Sequence, residues 1–209
     1  MTSSGLNSTD DRGVAARSRP VRADARRNID AVLKAAKEVF KISGVDAPVR
    51  DIAAQAGVGM GTLYRHFPQR ADLIAAVFRR EIDACADAAA TLAGEHGPAD
   101  ALGHWMQRYA AFIGTKRGLA TALHSGDPTY ATLPSYFEEK LTPALQGLLD
   151  AAVAAGVARA GVDPYELLSA VGSLGMRASA GSGGGQIERM VALLVDGIRF
   201  GSRSESQAD

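Results

Sequence analysis

Between Val49 and Phe67 the chain reads VRDIAAQAGVGMGTLYRHF, and Met60, Thr62, Tyr64, Arg65 and His66 fall together on one side of its second half. A hydroxyl, a phenol, a cation and an imidazole on a single short face can donate to phosphate oxygens and to base edges in a groove. Arg50 and Arg70, at either end of this region, add two further cations suited to phosphate. Other chemistries find less support. His66, His96, His104 and His124 lie apart in sequence without metal-ligand spacing, so no metal site and no cofactor are expected. The glycine-rich stretch Ser179 to Met190 ends in neither Lys-Ser nor Lys-Thr and follows no strand, which makes it a connector and not a phosphate loop. Cys85 has no basic cluster beside it to activate its thiol and reads as a core residue. No nucleophile, base and orienting group occur together, so no catalytic residues are assigned.

A polar face of this kind is useful only if something holds it rigid. Val49, Ile52, Ala53 and Ala56 recur at helical spacing and turn inward, leaving Arg50, Asp51 and Gln55 toward water. Gly57 follows the last periodic residue and can take the left-handed conformation that ends a helix, while Val58 plugs the angle to the next one. The second helix begins at Gly59 and buries Leu63 and Phe67, an i, i+4 pair. Pro48 suits the first helical turn of the preceding helix, with Asp46 available as its cap.

At these residues the sequence resembles the TetR family of bacterial transcriptional regulators, from roughly Ala25 to Phe78. The resemblance rests on an amphipathic first helix (Ile29, Leu33, Ala36, Val39 and Phe40, then Gly44), on Gly61, Thr62, Leu63, Tyr64, His66 and Phe67 of the helix-turn-helix, and on Pro68 and Arg70 opening a fourth helix. It implies operator contacts from Arg50, Gly59, Met60, Gly61, Thr62, Tyr64, Arg65, His66 and Arg70 on double-stranded, near-palindromic DNA. Two departures stand out. Ala47 and Pro48 occupy the place where the family commonly has a capping Thr or Ser, and Gly59 and Met60 stand where it often has Ser and Lys. Contacts from Gly59 and Met60 are therefore expected through backbone amides or the thioether.

Charge agrees with this division. The formal net charge is zero, yet residues 1–80 carry 14 Lys+Arg against 8 Asp+Glu, a balance of +6, and residues 81–209 carry 9 against 15, a balance of −6. The basic part would face a polyanion and the acidic part would be held away from it. Residues 1–23 are polar and hold Arg12, Arg17, Arg19 and Arg22, which predicts a disordered tail; whether these arginines enter a minor groove is left open. A single cysteine, no apolar signal region and no run of about eighteen apolar residues predict a cytoplasmic protein with no membrane partner.

The rest of the chain alternates helical periodicity with glycine and proline. Arg70 to about Ala93 continues as one long helix with Leu73, Ile74, Val77, Phe78 and Ile82 as its stripe. Helices are then predicted over about Pro98 to Thr115, Leu119 to Ser125, Thr129 to Ala155, Pro164 to Ala180 and Gln186 to Phe200, with a break or kink in the third of these at Pro134 or Pro143 that can make its first turns a separate short helix. The last two helices are apolar around too much of their circumference to serve one core, and Leu167, Leu168, Val171, Leu174, Met190, Leu194 and Ile198 are assigned to a homodimer face, the arrangement the resemblance also implies. Trp105, Tyr109, Phe112, His124, Phe137, Met176 and Arg177 are candidates to line a pocket for an unidentified small-molecule effector.

The expected fold class is all-α. A helix-turn-helix DNA-binding domain (24–70) lies between tails at 1–23 and 202–209 and a ligand-binding and dimerisation domain at 71–201, reached through the long helix. A ligand-responsive repressor is the expected function. An activator of the same fold, or a helical carrier or enzyme, are the alternatives, of which the last leaves the basic N-terminal part unexplained.

Overall fold

Every junction in the fold is made where the sequence loses its helical periodicity. The computed structural model describes residues 12–115, 126–177 and 185–200, and among them all regular structure is helical. Helix α1 spans Arg12–Ser43, α2 Val49–Ala56, α3 Met60–His66, α4 Arg70–Glu95 and α5 Pro98–Thr115. A short 3-10 helix, Pro128–Tyr130, precedes α6 (Leu133–Ala154), α7 (Pro164–Arg177) and α8 (Gln186–Phe200).

Helix α1 starts at Arg12, within the stretch predicted to be a disordered tail. Its Ala- and Arg-rich composition, high in intrinsic helix propensity, accounts for the difference. The helix ends at Gly44, whose N–H donates to the Phe40 carbonyl at 3.0 Å with φ at +76°. Val32, Ala35, Ala36 and Phe40 form its buried face and share one apolar cluster with Ile52 and Ala53 of α2, Leu63 of α3 and Phe67 just after it, a cluster that continues along α4 into the body.

Helix α4 runs out of that head into the body. Its first turn is fixed by a capping box: Gln69 N–H donates to Asp72 Oδ2 at 2.9 Å, and the Gln69 side chain accepts from the third helical N–H. Ala71, Leu73, Ile74, Val77 and Phe78 are buried toward the head end, and Ile82, Cys85 and Ala89 toward the body.

The body packs α4 to α8 around Trp105 and Tyr109, which are 0% and 1% exposed. Trp105 Nε1 donates to the Cys85 carbonyl at 2.8 Å, and the Tyr109 hydroxyl donates to the Leu168 carbonyl at 2.9 Å. Both polar tips are thereby satisfied inside the core. Pro128 opens the 3-10 helix, whose Asp127 cap accepts from Thr129 N–H at 2.8 Å; this bond holds the Asp127 carboxyl below the usual carboxylate range. Pro134 sits in the first turn of α6, where its missing N–H costs little, and α6 continues through Pro143 as one helix. The separation anticipated from the prolines therefore falls before Leu133, not within α6.

The helix predicted over Leu119 to Ser125, the first part of the glycine-rich connector and the C-terminal tail lie outside the described residues; the end of that connector, Gln186 to Met190, is not a linker but the start of α8. No helix among those described is long and apolar enough to cross a membrane.

Candidate nucleic-acid interface

The turn between α2 and α3 has two backbone bonds that lock its angle. Gly57 N–H donates to Ala54 O at 3.2 Å and Val58 N–H to Ala53 O at 3.1 Å, with φ and ψ of Gly57 at 67° and 29°. This crossed pair is a Schellman ending, and it needs a residue that takes positive φ at little cost. A Cβ on Gly57 would meet no atom within 4 Å, so backbone conformation alone selects glycine here. Pro48 occupies the cap position of α2 and not its first helical residue, and no side chain among the described residues caps this end, so Asp46 does not play the part expected of it. Asp51 in the first turn supplies the favourable charge instead.

Helix α3 is pinned from below by Leu63 and Phe67, 1% and 8% exposed. That leaves Tyr64 at 47% and Met60 at 37% exposure, with Gly59, Gly61 and Arg65 exposed and Thr62 and His66 half-buried. The His66 ring leans on Phe67, with centroids 6.5 Å apart. Arg50 is exposed at the start of α2, paired at 3.5 Å with its neighbour Asp51, a contact that contributes little in water.

Arg70 is placed differently from expectation. Its Nη1 donates to the carbonyls of Val45 and Ala47, the latter at 2.8 Å, so the guanidinium ties down the loop that leads into α2. Nothing in the local sequence signals this, because the acceptors are main-chain atoms more than twenty residues away.

The candidate ligand residues divide as well. Trp105, Tyr109, Phe112 and Phe137 come together, but as interlocked packing: Trp105 and Tyr109 stack with centroids 5.7 Å apart, and Tyr109 lies 6.2 Å from Phe112 and 6.1 Å from Phe137. Burial pushes the Tyr109 phenol well above its ordinary range, with Cys85 adding to the shift. A groove of about 440 Å³ opens on the outer side of α4 and α5, walled by Ala84, Asp87, Thr91, Leu92, His104 and Arg108 among others, and includes none of the expected lining residues. His124 and the side chains of Met176 and Arg177 lie outside the described residues. The turn between α4 and α5 also brings His96 and His104, eight positions apart, to 4.5 Å between ring centroids.

Four of the seven candidate interface residues, Leu167, Leu168, Val171 and Ile198, are buried within their own chain against the body. Leu174 and Leu194 are half-buried and Met190 is exposed. Leu193, at 66%, and Tyr165, at 50%, are the large apolar side chains that α8 and α7 leave most open. Helical periodicity marks both apolar faces of these helices, but not which face the chain itself covers.

An N-terminal helix-turn-helix joined by a long shared helix to a separate helical body defines a helix-turn-helix regulator. Residues 32–77 match the family described as bacterial regulatory proteins, tetR family, and residues 97–200 match the C-terminal domain of transcriptional regulators described as SbtR-like. A TetR transcriptional regulator from Streptomyces coelicolor is 36% identical and superposes with a TM-score of 0.70 over 82% of this chain and 98% of that one. The TetR-like regulator LfrR from Mycobacterium smegmatis, solved in complex with proflavine, is 25% identical with a TM-score of 0.59, over 82% of this chain and 95% of that one. An HTH-type transcriptional regulator of Staphylococcus aureus is 39% identical over 64 residues, which is 30% of this chain; the match spans 35% of the length of that curated relative. The chain belongs to the TetR family of transcriptional regulators.

Proposed function

We propose that the chain is a cytoplasmic, homodimeric, effector-responsive repressor that reads a near-palindromic operator through the outer face of α3. The observation that carries this reading is the outer face of exposed Met60, Tyr64 and Arg65 with half-buried Thr62, on a helix immobilised by Leu63, Phe67 and the Gly57 turn. Tyr64 and Thr62 choose the sequence; Arg50, Arg65 and His66 grip phosphate, aided by Gly59, Met60 and Gly61 at the helix start. Arg70 supports this surface from behind by holding the Val45 to Ala47 loop.

Two copies associate through α7 and α8, using Tyr165, Met190, Leu193 and Leu194, which a single chain leaves open or half-covered. The effector is a small molecule that enters the body by parting the packed rings of Tyr109, Phe112 and Phe137 and displaces α4; the proflavine complex of a 25% identical family member supports a small-molecule ligand.

Selection of duplexes from a random library by the purified chain tests the operator reading. The expected outcome is enrichment of one near-palindrome whose half-sites are separated by about a helical turn, roughly 34 to 36 Å, or by more if the site is extended. Retention of duplexes without any enriched sequence would refute it.

A further inference from the structure

Two imidazoles that stand eight positions apart in the chain become neighbours through the way α4 turns into α5. The His96 N–H donates to the Leu92 carbonyl at 2.9 Å and ends α4, while the Gly97 carbonyl accepts from the N–H groups of Asp100 and Ala101 at 3.0 and 2.9 Å and opens α5. Backbone bonds on both sides of the turn thus fix where His96 sits relative to α5. His104 lies in the second turn of that helix, on the side that meets α4, where it walls the outer groove together with Thr91 and Leu92. The two rings are 4.5 Å apart between centres, with their planes inclined at 66°. Both residues are exposed, so water reaches the space beside the rings.

We propose that His96 and His104 form a chelating site for one divalent ion of the copper, nickel and zinc group. These ions take neutral imidazole as a ligand, whereas magnesium and calcium demand a shell of oxygens that two histidines do not offer. Distance agrees with this assignment. A metal–nitrogen bond of about 2.0–2.1 Å in the plane of the ring puts each ring centre about 3.2 Å from the ion. Two such ligands at a right angle then have centres about 4.5 Å apart, and at the tetrahedral angle about 5.2 Å apart. The observed separation of 4.5 Å meets the first and lies close to the second, so rotation of two exposed side chains aims a nitrogen of each at one ion without any backbone movement. Among the described residues no third His, Cys, Asp or Glu joins the pair in one group, so the chain supplies two nitrogens and water completes the shell. A spacing of eight is unlike the i, i+4 pair of a helical metal motif, and only the α4–α5 turn makes one site of it. The bound ion ties the end of α4 to α5 and so stabilises the body by linkage.

Calorimetric titration of the untagged full chain with Cu(II) and with Zn(II), in a buffer that does not bind metal, tests the site. The expected result is one ion per chain with a dissociation constant on the order of 10 μM or tighter, Cu(II) binding more tightly than Zn(II). The electron resonance spectrum of the Cu(II) form should show coupling to two imidazole nitrogens. His96→Gln and His104→Gln should each weaken binding at least about tenfold, with the double variant little weaker than either single because the chelate needs both rings. Comparing parent with variants separates the pair from the chain's two other histidines. Without metal the variants should melt with the parent, and Zn(II) should raise the melting temperature of the parent alone. Equal affinity in the parent and the double variant would overturn the site, as would a parent that binds neither ion below about 100 μM. Should a variant fail to fold, the parent's spectrum decides: coupling to fewer than two imidazoles also overturns it. All of these readings are made on the chain without DNA, so they stand apart from the operator reading.

Discussion

Arg70 shows how a side chain of the right type near a reading surface can be committed elsewhere. Its two bonds to main-chain carbonyls are charge-assisted, and losing such a contact costs about 1.5–3 kcal/mol. Arg70→Ala is therefore expected to lower stability by about that amount in a denaturant titration while leaving the salt slope of DNA binding within about one phosphate contact of the parent. A stable variant with a shallower slope would restore Arg70 to the phosphate surface. Tyr136 carries a second expectation at this scale. The hydrogen bond to Asp83, then partial burial and the negative charge of Asp83, push its phenol from 10.0 up to about 12. Because the bond exists only while the phenol is protonated, its stabilisation is complete below about pH 10 and is lost as pH rises toward 12. The tyrosinate titration of the parent minus that of Tyr136→Phe should show one phenol ionising near pH 12. Ionisation near 10.0 would mean the bond is not held in solution. Residue type made Thr62, Tyr64 and Arg50 legible in the sequence as donors, but the partners of Arg70, Trp105 and Tyr136 come from distant segments, and no local spacing encodes them.

At the scale of elements, punctuation was informative where it acts locally. Gly44 and Gly57 end helices because their own φ angles do so, and α2, α3, α4 and α5 begin within a residue or so of where periodicity and glycine place them. The early start of α1 and the vacant side-chain cap of α2 escaped the same logic, since helix propensity and a proline at the cap position leave weaker marks. The two outer helices were harder still. An apolar side chain at Leu168 or Val171 faces its own body, whereas Leu193, on a helix of identical character, does not. Leu193→Asp is accordingly expected to split the dimer, since burying one leucine across an interface contributes about 1.5–3 kcal/mol and an unpaired carboxylate there opposes association further. Sedimentation should show a folded monomer with weakened duplex binding at micromolar concentration. A dimer unchanged by this substitution would place the interface on another face.

For the molecule as a whole, charge divides along the chain while the apolar core does not: a +6 N-terminal part holds the helix-turn-helix, the −6 remainder holds the helical body that a second copy would double, and one apolar cluster runs through both. Such a dimer would present two basic heads on one side, so its attraction to DNA should weaken steeply with salt, in proportion to the number of phosphates neutralised. The overall architecture was readable from the sequence because it follows from helix order and charge. The interior of the body was not, since packing of Tyr109 against Phe112 and Phe137 depends on helix crossings that periodicity leaves undetermined. Salt dependence alone cannot separate a sequence-reading dimer from a merely basic protein, and Tyr64 does. A footprint of Tyr64→Ala beside the parent, on the duplex recovered by selection, addresses the central claim most directly. The parent should protect two symmetric patches; the folded variant should keep its salt-sensitive affinity for any duplex but lose the pattern, at a cost of about 1–3 kcal/mol in preference for the selected sequence. An identical footprint from the folded Tyr64→Ala protein would contradict the assignment of α3 as the reading helix.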